Sequence, residues 1–241
     1  MYLSRVEIDI NNRQKMRDLT HLGAYHGWVE QSFPKEIAKG ERLRHLWRID
    51  ILRGHSYLLV LSPDQPDPQK LSRYGVLGTA QTADYEKLLN DIQDGQIRPF
   101  RLTANTVRRK TQHGRKTTTA ITAIPELECW LLAHSQKCGF NIVTSPLSGE
   151  KELRVSDHHT ELLKRGNKRI SLSMTSYEGA LQISDAEKFK QALTKGVGRE
   201  KAYGCGLLTV MPAIWCAYLQ ATSRLLNMVI YRCGVEALSD N

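Results

Sequence analysis

The stretch KGVGREKAYGCGLL, Lys195 to Leu208, combines Gly196, Gly198, Gly204 and Gly206 with Lys195, Arg199 and Lys201. Glycines let a backbone approach a phosphate closely, and the exposed N–H groups of such a turn cradle its oxygens. Arg199 and Lys201 would add charge. The spacing fails the dinucleotide fingerprint, because position 201 is Lys where that pattern needs Gly. It also fails the phosphate-loop pattern, since no Lys-Ser or Lys-Thr follows a glycine. The competing reading is a tight turn with a helix C-cap at Gly196, which accounts for one glycine but not four. A nucleotide-dependent enzyme is the weakest of the functions this loop allows.

Two other segments carry concentrated charge. VRRKTQHGRK holds Arg108, Arg109, Lys110, Arg115 and Lys116 without an acid, and ELLKRGNKR holds Lys164, Arg165, Lys168 and Arg169 around a glycine turn. Either alone reads equally as a solvated loop. Together they favour a duplex or hairpin gripped by its phosphates, with an affinity that falls steeply with salt. Aromatics are only 7% of the chain and no aromatic run for stacking single-stranded bases appears. Of the eight histidines, His26 in AYHGW and His21, one turn earlier, lie in a helical stretch, and a histidine there titrates near neutral pH. His158 and His159 are adjacent on an expected strand, so they point to opposite faces and make a poor ligand pair. His45, His55, His113 and His134 form no recognisable constellation. No metal site and no cofactor are expected.

The chain that must position these groups has 241 residues, 41% apolar, and a net charge of +9 from 34 Lys and Arg against 25 Asp and Glu. That is enough for one large or two small domains with real cores, and the charge favours a polyanionic partner, nucleic acid before membrane. Cys129, Cys138, Cys205, Cys216 and Cys233 form no CxxC pair, which fits reduced packing thiols in a cytoplasm. Met1 to Arg5 shows no leader character, so secretion is not expected, and Ala213 to Tyr231 is broken by Gln220, Arg224 and Asn227, so no membrane span is expected there.

Alternation predicts a strand over Tyr2 to Ile10, and helical spacing predicts one helix from Asn11 to Gln31, ended by Phe33-Pro34. Strands follow at Leu46 to Leu52 and Ser56 to Ser62, joined by Arg53-Gly54-His55. A helix opening at Thr82 to Tyr85 and running to Ile92, then a strand from Ile97 to Val107, complete a β-α-β-β-α-β order. The second half repeats it: Phe100 to Val107 as a first strand, a helix from Pro125 to Ala133, a short strand at Asn141 to Val143, a hairpin of Glu152 to Lys164 with Lys168 to Ile183, a helix capped by Asp185 and a last strand at Cys205 to Val210. Trp28, Trp47 and Trp130 fall at apolar positions and read as core. The fold class is therefore α+β, two tandem ferredoxin-like domains over residues 1–97 and 98–212, with a helical tail at 213–241.

With these residues in view, GVGREKAYGCGLLTV resembles the C-terminal glycine-rich loop of the CRISPR repeat-processing endoribonucleases. MYLSRVEI resembles the first strand, and AYHGWVEQSFP the active-site helix and following Phe-Pro, of the CasE family of type I-E Cascade complexes. The resemblance implies a metal-independent ribonuclease that cleaves precursor CRISPR RNA at the 3′ base of the repeat hairpin, by attack of a 2′-OH on the adjacent phosphate. It implies retention of the product with the other Cascade subunits, in the cytoplasm and without a membrane. His26, seven residues before Phe33, matches the family's active-site histidine. The family's tyrosine three positions before that histidine is replaced by Gly23, with Tyr25 adjacent to His26 instead. Helical neighbours differ by about 100°, so Tyr25 either partners His26 in catalysis or packs in the core. With no fitting tyrosine, a nearby lysine or a water is left to make the second proton transfer. The basic loops are implied to grip the hairpin stem, and the glycine loop to pack between domains. A subunit of the same fold that binds a hairpin without cutting it is the alternative.

Overall fold

A computed structural model describes residues 1–112, 115–165 and 168–211. The first half runs β1 (Tyr2–Glu7), α1 (Arg13–Asp18), α2 (Leu22–Gln31), α3 (Pro34–Lys39), β2 (Leu46–Leu52), β3 (His55–Ser62), α4 (Pro68–Leu71), β4 (Gln81–Asp84) and α5 (Glu86–Asp91). Its sheet has the antiparallel order β2-β3-β1-β4, in which β3 returns between β1 and β2. The Arg53-Gly54 turn closes the β2–β3 hairpin with both residues at positive φ, 51° and 81°, the backbone twist a two-residue hairpin needs.

The second half runs β5 (Ile97–Asn105), β6 (Val107–Gln112), β7 (Arg115–Ala120), α6 (Ile124–Ser135), β8 (Phe140–Ile142), β9 (Leu153–Arg165), β10 (Lys168–Ile183), α7 (Ala186–Lys195) and β11 (Leu208–Val210). Its sheet has the order β11-β5-β10-β8, and β9 also pairs with β10. Ile142 faces Leu181 and Leu153 faces Gly179, so β8 and β9 lie end to end along one edge of β10 and act as one interrupted strand. Both halves are thus ferredoxin-like. The hairpin β6–β7 is a separate two-stranded ribbon. The tail expected at 213–241 lies outside the described residues.

Several sequence expectations are corrected. The single helix over Asn11 to Gln31 is two helices, because His21 has extended backbone and its imidazole Nδ1 accepts the Ala24 amide at 3.1 Å, starting α2 afresh. Pro34 does not merely stop a helix; it opens α3 from its first position. Thr82 to Asp84 is strand instead of helix, since it fills the free edge of β1 with Tyr2 opposite Asp84. Ile97 to Asn105 consequently serves only the second sheet. The segment Val107 to Lys116 starts a β-hairpin and is not an irregular loop.

The run Leu58, Leu59, Val60 and Leu61 is wholly buried although the strand is antiparallel. Period-2 geometry explains it. Leu58 and Val60 pack with Trp28, Val29 and Trp47 under the helices, whereas Leu59 and Leu61 join Leu3 and Leu46 in the core shared with the second half. Trp28 and Trp47 are buried as expected. Among the described residues no helix is long and apolar enough to cross a membrane.

Candidate active site

Helix α2 is oriented by its buried face. Trp28 and Val29 are inside, and the Trp28 indole donates to the carbonyls of Lys70 and Leu71 at 3.2 and 3.1 Å. The Ser32 hydroxyl donates to the Trp28 carbonyl at 2.9 Å and secures the last turn. With that face committed, His26 and Glu30, one turn apart, line a cleft of about 510 Å³ together with Arg42, Arg44 and His45 from the segment before β2. The opposite wall is the 3-10 turn Lys201–Tyr203 in the glycine loop. The cleft therefore lies between a helix of the first half and a turn of the second.

The glycine loop is shaped to bring that wall in. Gly196, Gly198, Gly204 and Gly206 all have φ between 76° and 91°. The Val197 amide donates to the Gly206 carbonyl at 2.9 Å, and the Gly206 amide to the Thr103 carbonyl at 2.7 Å. These two N–H groups hold the loop itself, and its turn lines the cleft with Lys201, Ala202 and Tyr203 beside Glu200. The Trp47 indole of β2 donates to the Ala202 carbonyl at 3.2 Å, tying the turn to the first sheet. A Cβ on Gly204 would stand 3.0 Å from that same indole. Gly204→Ala combines a disfavoured φ of 77° with overpacking and is expected to cost about 2 kcal/mol in chemical denaturation. A loss within about 0.5 kcal/mol, the range of an ordinary surface change, would show that the turn is not wedged against Trp47.

Electrostatically the cleft is cationic with one carboxylate cluster. The His26 side chain is 29% exposed and its Nδ1 lies 4.0 Å from Glu30 Oε1. Burial lowers the His26 pKa, Glu30 opposes that, and Arg42 and His45 add to it, leaving a net depression. Burial also lowers the Lys201 pKa, with Arg44 adding repulsion. The lysine stem crosses Gly196 and Gly206, where a Cβ would meet its Cε at 3.0 and 3.4 Å. The Tyr203 ring is 6.4 Å from the His26 ring, tilted by 57°.

His45 is buried, stacked on Phe33 at 3.9 Å, and held between two carboxylates: Nδ1 to Glu30 at 3.0 Å and Nε2 to Glu36 at 3.2 Å. Burial alone would depress its pKa; the bonds to Glu30 and Glu36 outweigh burial and raise it.

Tyr25 points elsewhere. Its ring stacks on Trp47 at 6.2 Å and tilts against Trp28 at 6.4 Å, and burial raises its pKa. Position 23 is tight, since a Cβ there would stand 3.0 Å from Nδ1 of the His21 ring that caps the helix. Arg199 is not among the groups lining this cleft. Arg108 is exposed and pairs with Glu126 at 2.9 Å, and Arg109 is exposed. The backbone puts Lys110, Arg115 and Lys116 on the β6–β7 hairpin and Lys164, Arg165, Lys168 and Arg169 at the end of the β9–β10 hairpin. His158 bonds Thr175 at 2.9 Å, and His159 bonds Asp157 at 2.7 Å. Sequence reasoning missed Glu30, Arg42, Arg44 and Tyr203 as neighbours of His26. The i,i+4 spacing of His26 and Glu30 is the one signal of it along the chain.

Comparison with known proteins supplies the family. A family described as CRISPR associated protein matches residues 1–212. The CRISPR-associated endoribonuclease Cse3 of Thermus thermophilus is 28% identical over 222 residues, covering 88% of this chain and 100% of that protein. A solved structure of CRISPR endoribonuclease Cse3 bound to a 19-nucleotide RNA superposes with a TM-score of 0.71 at 25% identity, over 88% of this chain and 100% of that one. The CRISPR-associated protein Cas6e of Escherichia coli, at 22% identity, a TM-score of 0.57 and coverage of 88% and 100%, shares the fold. A match reaching from the first strand to the last described one, over both sheets and the histidine-bearing cleft between the two halves, makes this chain a member of the CRISPR-associated protein family.

Proposed function

We propose that this protein is an endoribonuclease that cleaves precursor CRISPR RNA at the 3′ base of the repeat hairpin and keeps the product as part of a Cascade assembly in the cytoplasm. The observation that carries the reading is His26 facing the Lys201–Tyr203 turn across the cationic cleft. The related protein of Thermus thermophilus carries the name endoribonuclease, and the similar Cse3 structure holds RNA. We take residues 1–97 as the domain bearing the histidine and 98–212 as the domain bearing the basic hairpins and glycine loop.

In the proposed reaction the 2′ oxygen upstream of the scissile phosphate bonds to phosphorus and the P–O5′ bond breaks. The 2′ proton leaves to a base and the 5′ oxygen gains one from an acid, giving a 2′,3′-cyclic phosphate and a 5′-OH. His26, held neutral by its depressed pKa, is suited to take the first proton. Lys201, Arg42 and Arg44 line the place where phosphorane charge would develop. Lys201, with its pKa lowered, is a proton donor closer to neutrality than an ordinary lysine, and Tyr203 offers a hydroxyl on the same wall. Tyr25, packed on Trp47, supports the helix. The basic residues of the two hairpins supply the phosphate grip.

Gly23, standing where the resemblance implies a tyrosine, favours a second reading, a subunit that binds the hairpin without cutting it. One assay separates them. The protein is incubated in EDTA with its cognate repeat RNA and with the same RNA carrying 2′-deoxyribose at the scissile position. Cutting of the first and not the second is expected. Tight binding of both with no cutting would support the second reading, and no affinity for either would end both.

A further inference from the structure

We propose that Glu30 is the positioning residue for His26: its carboxylate holds the Nδ1 side of the imidazole, so that Nε2 is the nitrogen presented to the scissile phosphate. This rests on the reading of His26 as the acid–base group.

The geometry has three parts. His26 Nδ1 is buried and has no hydrogen-bond partner, and a buried polar nitrogen left alone is costly. Glu30 Oε1 is the carboxylate oxygen beside it, at 4.0 Å. A bare nitrogen lone pair facing a carboxylate is repulsive, whereas an N–H facing it is attractive, so the neutral ring carries its proton on Nδ1. At 4.0 Å the pair is too long for a hydrogen bond; it closes to one by a small side-chain shift, as catalytic hydrogen bonds tighten when substrate docks.

Glu30 is itself fixed. Its Oε1 bonds His45 Nδ1 at 3.0 Å and its Oε2 faces Arg42 Nε at 3.8 Å. His45 is locked from the other side by Glu36 and by the Phe33 ring. A Glu36–His45–Glu30 chain thus runs from the core to the Nδ1 side of the His26 ring, and groups behind the imidazole set its orientation and tautomer as they do at other histidine sites. The charged groups that face His26 are Glu30 on its own helix, Arg42, Arg44 and His45 from the segment before β2, and Glu200 and Lys201 from the turn, with Tyr203 beside them. Of these, Glu30 is the group that raises the His26 pKa; Arg42 and His45 lower it.

The test is nitrogen-15 NMR of the imidazoles in the intact protein, which reads tautomer and titration without any cleavage. In the wild type the His26 signal should be that of the Nδ1–H tautomer. In Glu30→Gln it should shift toward the Nε2–H tautomer and titrate about one pH unit lower. In single-turnover cleavage the acid limb should move by the same interval, with a plateau about tenfold lower and RNA affinity unchanged. Glu30→Asp should restore part of the rate. An Nε2–H tautomer in the wild type would overturn the proposal without need of a variant. So would an unchanged titration in a Glu30→Gln protein that melts cooperatively. If wild-type protein cuts no RNA yet shows the Nδ1–H tautomer, the reading of function fails while the positioning stands.

Discussion

Replacing His26 by alanine should reduce single-turnover cleavage of the repeat RNA by about 10³-fold, within the range that a general acid or base contributes. The affinity for the same RNA should change by less than about threefold, because phosphate contacts from the basic hairpins would supply most of the binding. His26 is partly exposed, so truncation leaves no buried cavity, and its Nδ1 has no hydrogen bond to lose. A loss of rate with retained binding therefore reports chemistry instead of folding. The pH dependence follows in sign. Burial depresses the His26 pKa below its ordinary 6.5, so a base at this position stays active at neutral pH and loses activity as pH falls through the depressed value. An alanine variant that cuts within about fivefold of wild type, well short of a general base's contribution, would remove His26 from the reaction.

Arg48→Ala should cost about 3–5 kcal/mol in equilibrium unfolding, the penalty for breaking a buried ion pair. Arg48 is 2% exposed and lies on the face of β2 that meets the second half. It makes five hydrogen bonds: Nε and one terminal nitrogen to the two Asp50 oxygens at 2.7 and 2.8 Å, the same nitrogen to Thr209 Oγ1 at 2.9 Å, and the other nitrogen to the carbonyls of Leu207 and Arg101 at 2.8 and 3.1 Å. Three of those partners belong to β5, β11 and the loop before β11, so one side chain couples the two sheets. Burial pushes the Asp50 pKa up, and Arg48, with Arg101 behind it, more than reverses that. The lowered value means that this stabilisation is present above the ordinary 3.8 and is lost as pH falls through the native value. Removing Arg48 strands the carboxylate against Arg101 alone, at 3.3 Å. Replacing both partners, Arg48→Met with Asp50→Leu, should recover much of the stability, since apolar isosteres do not leave a buried charge. A single variant that loses less than about 1 kcal/mol, a typical surface change, would mean the halves are joined chiefly by apolar packing. Because His26 rides on one half and Lys201 on the other, Arg48→Ala should also slow cleavage while leaving the chemistry of each group intact.

Periodic and capped segments are legible in the order of residues alone. β2, both strands of the long hairpin and the helix capped by Asp185 stand within a residue or two of their expected limits, because alternation, turn chemistry and capping are encoded by neighbours along the chain. The two ferredoxin-like units follow from that order. The expectations that fail are those decided by distant partners. Thr82 to Asp84 has a helix-like opening, but the unpaired edge of β1 makes it a strand. The stretch from Asn11 to Gln31 has helical spacing throughout, but His21 caps a new start with its own side chain.

The site divides along the same line. By itself the chain determined the candidate imidazole, the basic segments and a loop that only glycines can build, since residue type and a positive φ are local properties. Tertiary structure alone decided what surrounds the imidazole. It turned Tyr25 onto Trp47, set the His21 ring over Gly23, and brought Lys201 and Tyr203 across from the other end of the chain. It also made His45, which belongs to no pattern along the chain, a buried clamp between Glu30 and Glu36. Electrostatic partners are set by distance in space, and beyond the one helical turn that joins His26 to Glu30, separation along the sequence carries no record of that distance.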